Sequence, residues 1–299
     1  MSPEPAVSLP TQQPRLPVAG KGGPAKPSVR GGPDVVLRSI AAKTLWEGRR
    51  ALVGWLASIV AVAVTYAAFW PTINTPDMQR AMSSYPRALL EAMNYTDLTS
   101  AAGYVGSAVF GLLGAALMAV FVISHGARAV AGEEEDGRLD LLLAHPVSRL
   151  RLALERFAAL VVSVTLIVVA LWLAMAAISG PAQLEGISVG QYAAASAQLG
   201  LFGVAIGAVA FAVGAASGSR GLAVSVSAGV TVLGYLANGV FPQFEPLRWT
   251  RNVTPWDWFL GGAPLRNGLQ LGDCGLLLAL AVVMVAAGAW AFSRRDVGV

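Results

Sequence analysis

Charge is scarce in this sequence. Asp, Glu, Lys and Arg make up 13% of its 299 residues while 55% are hydrophobic, against about 25% and about 45–50% in soluble globular domains. A mean hydropathy of +0.61 cannot be buried inside one aqueous core of this size, which excludes an ordinary soluble enzyme and makes lipid the solvent for most of the chain. Cysteine is nearly absent, and a lone Cys274 excludes an internal disulfide framework and a cysteine-based zinc site. Histidine is limited to His125 and His145. No GxxxxGK[ST] phosphate loop occurs, since Gly20-Lys21-Gly22 is followed by another glycine and lacks the strand and helix that would position a phosphate. No segment outside the apolar runs reaches the roughly 100 residues of an independent catalytic domain. Any use of ATP therefore falls to another chain, and no metal or cofactor is expected on this one.

What is present is a series of long apolar runs. A bilayer core about 30 Å thick needs about 20 apolar residues per helix, and six runs qualify: Ala51 to Trp70, Ala101 to His125, Phe157 to Ser179, Tyr192 to Ala216, Leu222 to Phe241 and Gly275 to Phe292. The expected class is an all-α integral membrane protein of about six transmembrane helices. The fourth and fifth runs are separated only by Ser217 to Gly221, a turn that makes them antiparallel neighbours. Residues 1–34 hold eight of the 17 prolines and five glycines and are expected to be a disordered cytoplasmic tail. The membrane domain then covers residues 35–299.

The 21 Lys and Arg against 17 Asp and Glu give a net charge of +4. In this context the excess reports positive cytoplasmic loops rather than nucleic acid. With the N-terminus inside, sixteen of the basic residues fall on inside segments; Arg80, Arg87, Arg248, Arg251 and Arg266 are left outside. Both termini are therefore expected in the cytoplasm. Ahead of the first run, Val36, Leu37, Ile40, Ala41 and Leu45 recur at helical spacing among Arg38, Lys43, Glu47, Arg49 and Arg50. That is an amphipathic helix, either lying along the inner leaflet or extending the first span into the cytoplasm.

No Asp, Glu, Lys or Arg falls within any run, which counts against a secondary transporter, because ion-coupled carriers commonly place ionisable groups in the membrane. Small residues are frequent instead, including Gly111, Gly114 and the GxxxG pair Gly203 and Gly207, which allow helices to approach closely.

The loop between the second and third spans, residues 126–156, is the most informative segment. Glu133, Glu134, Glu135 and Asp136 precede Gly137 and then Leu139, Leu142 and Leu143, an apolar stripe at helical spacing. Acids are favoured at a helix start, and Pro146 should end the turn at His145. A short amphipathic helix with an acidic start fits a protein groove better than anionic headgroups.

This loop resembles the corresponding segment of type-two ABC (ATP-binding cassette) exporter permeases, on Gly137, Leu139, Leu142, Leu143, Pro146, Val147, Ser148 and Arg149. Arg138 departs from that pattern, where a threonine is commoner. The resemblance implies a cytoplasmic coupling helix seated in a separate ATPase subunit, with Arg149 orienting it. It further implies a second permease chain, ATP and Mg on the ATPase partner, a bacterial cytoplasmic membrane and a lipophilic cargo such as an antibiotic, drug or lipid. Two other segments are similar to the same family: the external loop, residues 242–274, and the chain end Phe292-Ser293-Arg294-Arg295-Asp296. In that loop Trp249, Pro255, Trp256 and Trp258 belong either to a re-entrant hairpin or to an aromatic belt at the interface.

Catalytic readings fare worse. Glu133-Glu134 with Arg138 fits an EExxxR metalloprotease pattern and Phe121 with His125 fits FxxxH, but the order is reversed and the acids lie in a polar loop, away from the dry cavity that metal-bound water needs. Ser217 lacks the glycine two positions earlier that a rhomboid-like serine would show and reads as a turn residue.

Overall fold

The computed structural model describes residues 40–86, 89–90, 100–132 and 149–295. Helix is the only regular structure among them, and six helices are long and apolar enough to cross a membrane. They are α1 (Ile40–Ala68), α2 (Ala101–Gly132), α3 (Arg149–Ile178), α4 (Val189–Ser217), α5 (Arg220–Gly239) and α8 (Leu271–Arg294), with the short α6 (Pro255–Leu260) and α7 (Pro264–Asn267) between the last two. Successive spans alternate in direction. One face of the bundle, here called basal, holds the starts of α1, α3 and α5 and the ends of α2, α4 and α8.

The observed helices outrun the apolar runs because backbone hydrogen bonding continues past the first charged residue. Thus α3 begins at Arg149, well before Phe157, and α2 continues past His125 to Gly132. The amphipathic segment is the first part of α1, the extension arrangement of the two expected; no proline between residues 40 and 70 interrupts it. Its first amides are capped from another helix: the Ile40 and Ala41 N–H groups donate to Glu155 Oε2 at 2.6 and 3.3 Å. Glu155 also accepts from Arg151 Nε at 2.8 Å.

Helix ends follow local chemistry. Ser188 and Gln191 form a reciprocal capping box at the start of α4, satisfying amides that no helical carbonyl can reach. Gly218 closes α4 in the left-handed conformation at φ 68°, and Ser219 then caps α5 through the Leu222 amide. Ser217 donates to the Val213 carbonyl at 2.7 Å and accepts from the Ser219 amide at 3.2 Å, the turn role expected of it.

The centre of the bundle is α4, which packs against α8, α2, α3 and α5 and is apolar and buried around most of its circumference. It approaches both α8 and α2 closely, and the α2 contact involves the GxxxG pair. A Cβ on Gly126 would lie 2.6 Å from the Gly207 carbonyl oxygen, and one on Gly203 would lie 2.7 Å from Met118 Cγ. The GxxxG pair thus serves contact within one chain, where small residues let two helix backbones meet. Outer helices α1, α5 and α8 leave most of their surface outside the core, with Val53, Val232 and Val282 each about 60% exposed.

A departure from α-helical winding was not legible in the sequence. Val105–Gly114 of α2 is wound as π-helix, as is Arg128–Gly132 at its basal end. The wider turn brings the carbonyl five residues back beneath the side-chain position: a Cβ on Gly114 would stand 2.6 Å from the Val109 oxygen. Glycine is therefore required there as long as the π turn is kept.

Candidate functional site

The acidic and leucine-rich segment, Glu133, Glu134, Glu135, Asp136, Gly137, Leu139, Leu142, Leu143 and Pro146, lies outside the described residues, as does His145. Arg149 is the first residue of α3. The described structure supplies the frame: the segment joins the basal ends of α2 and α3, and both helices pack on α4. A small apolar cluster secures this end, built from Val130, Leu152, Ala153, Phe211, Ala215 and Phe292. Arg295 of the chain-end motif donates to the Ala215 carbonyl at 3.3 Å, placing positive charge at the carbonyl end of α4, where the helix dipole favours it. Arg294 stacks on Trp290 at 4.4 Å.

At the opposite, apical end, the segment after α5 turns back into the bundle. Thr254 accepts from the Asp257 amide at 3.2 Å and caps α6, with Pro255 in the first turn. Trp256 is 4% exposed, and its Nε1–H donates to the Thr231 carbonyl at 2.9 Å. Thr231 lies eight residues before the end of α5, about 12 Å along the axis at 1.5 Å per residue. The α6 segment is thus re-entrant. Trp256 is a core anchor, not part of an interfacial belt, because its ring fills the space between Phe202 at 4.9 Å and Tyr235 at 5.1 Å. Trp258 presents its carbonyl to Gln198 Nε2 at 2.8 Å. Trp249, by contrast, is 63% exposed, as a belt residue would be.

Asp257 faces Arg251, with Oδ1 and Nε 3.4 Å apart. Burial pushes its carboxyl above the ordinary aspartate range, and Arg251 opposes that shift. After α6, Arg266 of α7 donates to the Ser100 hydroxyl at 2.8 Å while its carbonyl accepts from Gln191 Nε2 at 2.8 Å. The start of α2 and the start of α4 are so tied to one short helix. Leu260 and Leu265 approach the π-wound stretch of α2, each within 3.6 Å of a Cβ placed on Gly111 and Gly106 respectively. No local pattern in the sequence distinguishes Gln198, Thr231 or Phe202; only their convergence in space marks them.

One lipid-scale feature lies on the flank of the bundle. A groove of about 1070 Å³ runs between α3 and α8, floored by Gly200 and Val204 of α4 and walled by aliphatic side chains such as Val161, Val168 and Val282. Among the described residues no three His, Cys, Asp or Glu side chains come together as a metal site. His125 Nδ1 is engaged by the Phe121 carbonyl at 2.8 Å.

The family model described as Multidrug efflux system permease Rv1217c, C-terminal domain, matches residues 37–293, a range that takes in the first five spans and all but the last residue of the sixth. No curated protein matches the chain.

Proposed function

The chain belongs to the family of the multidrug efflux system permease Rv1217c C-terminal domain, a transport permease crossing the membrane several times, and from that premise we propose that it is the transmembrane subunit of an ATP-binding-cassette exporter. In this reading two permease chains pair and each receives a separate ATPase subunit, which binds ATP and Mg. The loop of residues 126–156 is the coupling element, with Leu139, Leu142 and Leu143 entering a groove of the ATPase and Glu133 to Asp136 making polar contact at its rim. Both termini face the cytoplasm of a bacterium, in keeping with the distribution of Lys and Arg.

The observation that carries the proposal is the reach of α2. Its basal end leads into the coupling segment; it packs on α4 at mid-helix through Met118 and Gly203 and nearer the basal end through Gly126 and Gly207; its apical half meets α6 and α7 at Gly111, Gly106 and Ser100. Closely packed elements move as units between discrete arrangements. A push on the loop would therefore be delivered along α2 to the re-entrant segment on the far side, which would open or close the outer end of a pathway. The six apolar runs contain no fixed charge and the flank carries an apolar groove, which support a lipophilic cargo.

The test is purification of the full chain from its native membrane, followed by an ATPase assay on the complex, for wild type and Leu142→Asp. Co-purification of a soluble ATPase with wild type, lost in the variant, is the expected result. Recovery of the chain alone, with transport driven by an ion gradient, would replace this reading with that of a secondary carrier.

A further inference from the structure

A fully buried amide is a costly side chain in the apolar interior of a membrane bundle, and α4 carries one. Gln198 is 0% exposed and lies nine residues into α4, about 14 Å along the axis from its start. Its Nε2 donates to the Trp258 carbonyl at 2.8 Å, while its Oε1 accepts from no donor among the described residues. Burying an amide costs free energy unless hydrogen bonds replace those lost to water, and a methionine here would avoid that cost. The bond to Trp258 is the contact that offsets it. Trp258 needs the donor for a reason of its own. It is the fourth residue of α6, which has six, and the last four carbonyls of a helix have no partner inside it. The amides that follow go elsewhere: Gly261 N–H donates to the Asp257 carbonyl at 2.6 Å and Ala263 N–H to the Leu260 carbonyl at 3.0 Å. Gln198 therefore caps the last turn of the re-entrant helix from a neighbouring span.

Aromatic packing continues the same face. Phe202 stands one turn after Gln198 on α4 and meets Trp256 at 4.9 Å and Phe259 at 5.2 Å between ring centroids, so α6 is seated on α4 by ring contacts and one amide. Apolar burial is non-directional, whereas a hydrogen bond weakens steeply with distance and angle. The bond is thus what distinguishes the seated position of α6 from one slightly displaced. Withdrawal of α6 would break it and bring water to both ends of the amide, Oε1 included. Gln198 then holds the seated state and also lowers the cost of leaving it, which no apolar residue would do. We propose that Gln198 is the positioning residue of the apical segment: its Nε2–H holds α6 in the bundle, and breaking that bond is the step that frees α6. The inference rests on the reading of the re-entrant segment as the outer end of a pathway for its place in transport; the hold itself is a property of this chain alone.

Hydrogen exchange of the full chain in lipid nanodiscs, read at the amides of Trp258 and Gly261 and at that of Phe202 in α4, tests the hold. In wild type the first two are expected to exchange well before Phe202, because a separately held segment opens at lower free energy than the bundle around it. Equal rates at the two places would overturn the proposal, and this comparison needs no variant to fold. Gln198→Met keeps the reach of the side chain without its donor and should speed exchange at Trp258 and Gly261 by about tenfold, the scale of one buried group left unpaired, with Phe202 unchanged. Gln198→Glu at acidic pH, where a protonated carboxyl has an O–H to donate, should bring exchange back towards the wild-type rate. Unchanged exchange in Gln198→Met would overturn the proposal, as would Gln198→Glu exchanging as fast as Gln198→Met under the same acidic conditions. Acceleration that extends equally to Phe202 would also overturn it, by marking Gln198 as general packing of α4. None of these measurements involves an ATPase, so their failure is distinct from failure of the Leu142→Asp co-purification.

Discussion

The Trp256 indole donates its N–H to the Thr231 carbonyl at 2.9 Å, a bond that fixes a residue of the apical segment against the middle of α5. That carbonyl lies inside a helix, so removing the indole N–H leaves it still served by the helical ladder. Trp256→Phe should cost about 1 kcal/mol, the net worth of one hydrogen bond. Trp256→Ala also opens a cavity between Phe202 and Tyr235 and should cost about 3–5 kcal/mol. Thermal unfolding in detergent will rank the two, and equal losses would show that the ring is not packed as described.

Glycine substitutions separate close backbone approach from mere flexibility. At Gly126 an added methyl meets the Gly207 carbonyl, which cannot step aside, whereas at Gly203 it meets the flexible end of Met118; at Gly229 it meets nothing within 4 Å. Gly126→Ala is expected to lose about 1–3 kcal/mol through overpacking. Gly203→Ala should lose less, and Gly229→Ala should gain up to about 1 kcal/mol from helix propensity. Unfolding midpoints in that order would establish the α2–α4 contact, and a destabilised Gly229→Ala would contradict it.

Glu155 gives a third expectation. Its carboxylate caps the first described amides of α1 from the neighbouring α3, so Glu155→Ala should cost about 0.5–2 kcal/mol, as loss of an N-cap does. Hydrogen exchange at Ile40 and Ala41 should accelerate while the middle of α1, near Ile59, stays protected. Arg151→Ala removes only the exposed partner and should have a smaller effect. Uniform acceleration along α1 would mean that packing, not the cap, holds its start.

Much of the architecture is legible in the sequence because hydropathy reports directly on the solvent. Each of the six apolar runs lies on an observed span, and the departures fall at ends such as Arg149, where a helix continues beyond its apolar stretch. The rank of the spans was less visible. Hydropathy does not rank the spans by burial, yet α4 and α2 are buried while α1 and α5 are largely exposed; only the glycines at 111, 114, 203 and 207 hint at it. Trp256 shows the limit of local reading, since a tryptophan near a membrane boundary has the same sequence signature in a belt as in a core. Its place is decided by Phe202 and Tyr235, which are distant in the chain. The π winding at Gly114 depends on neighbouring helices and leaves no periodicity to detect. The acidic and leucine-rich segment from Glu133 to Pro146 lies outside the described residues, so its reading as a coupling element comes from sequence alone.

The apical segment should also respond to pH, with a sign set by Asp257. Burial raises the pKa of this carboxyl above its ordinary value, more than Arg251 lowers it. The folded state then binds the proton more tightly than the unfolded chain, so stability declines as pH rises from the ordinary aspartate value through the raised one, and levels off above it. Asp257→Asn removes the titrating group while keeping the side-chain shape, and it should flatten that decline. The measurement is the unfolding midpoint of wild type and Asp257→Asn across the acidic range, with the difference between the two curves isolating this residue from the other carboxylates. A difference that grows in favour of wild type with rising pH would reverse the sign. It would mean that the 3.4 Å pairing with Arg251 outweighs burial, and that Asp257 acts as an ion-pair anchor for α6.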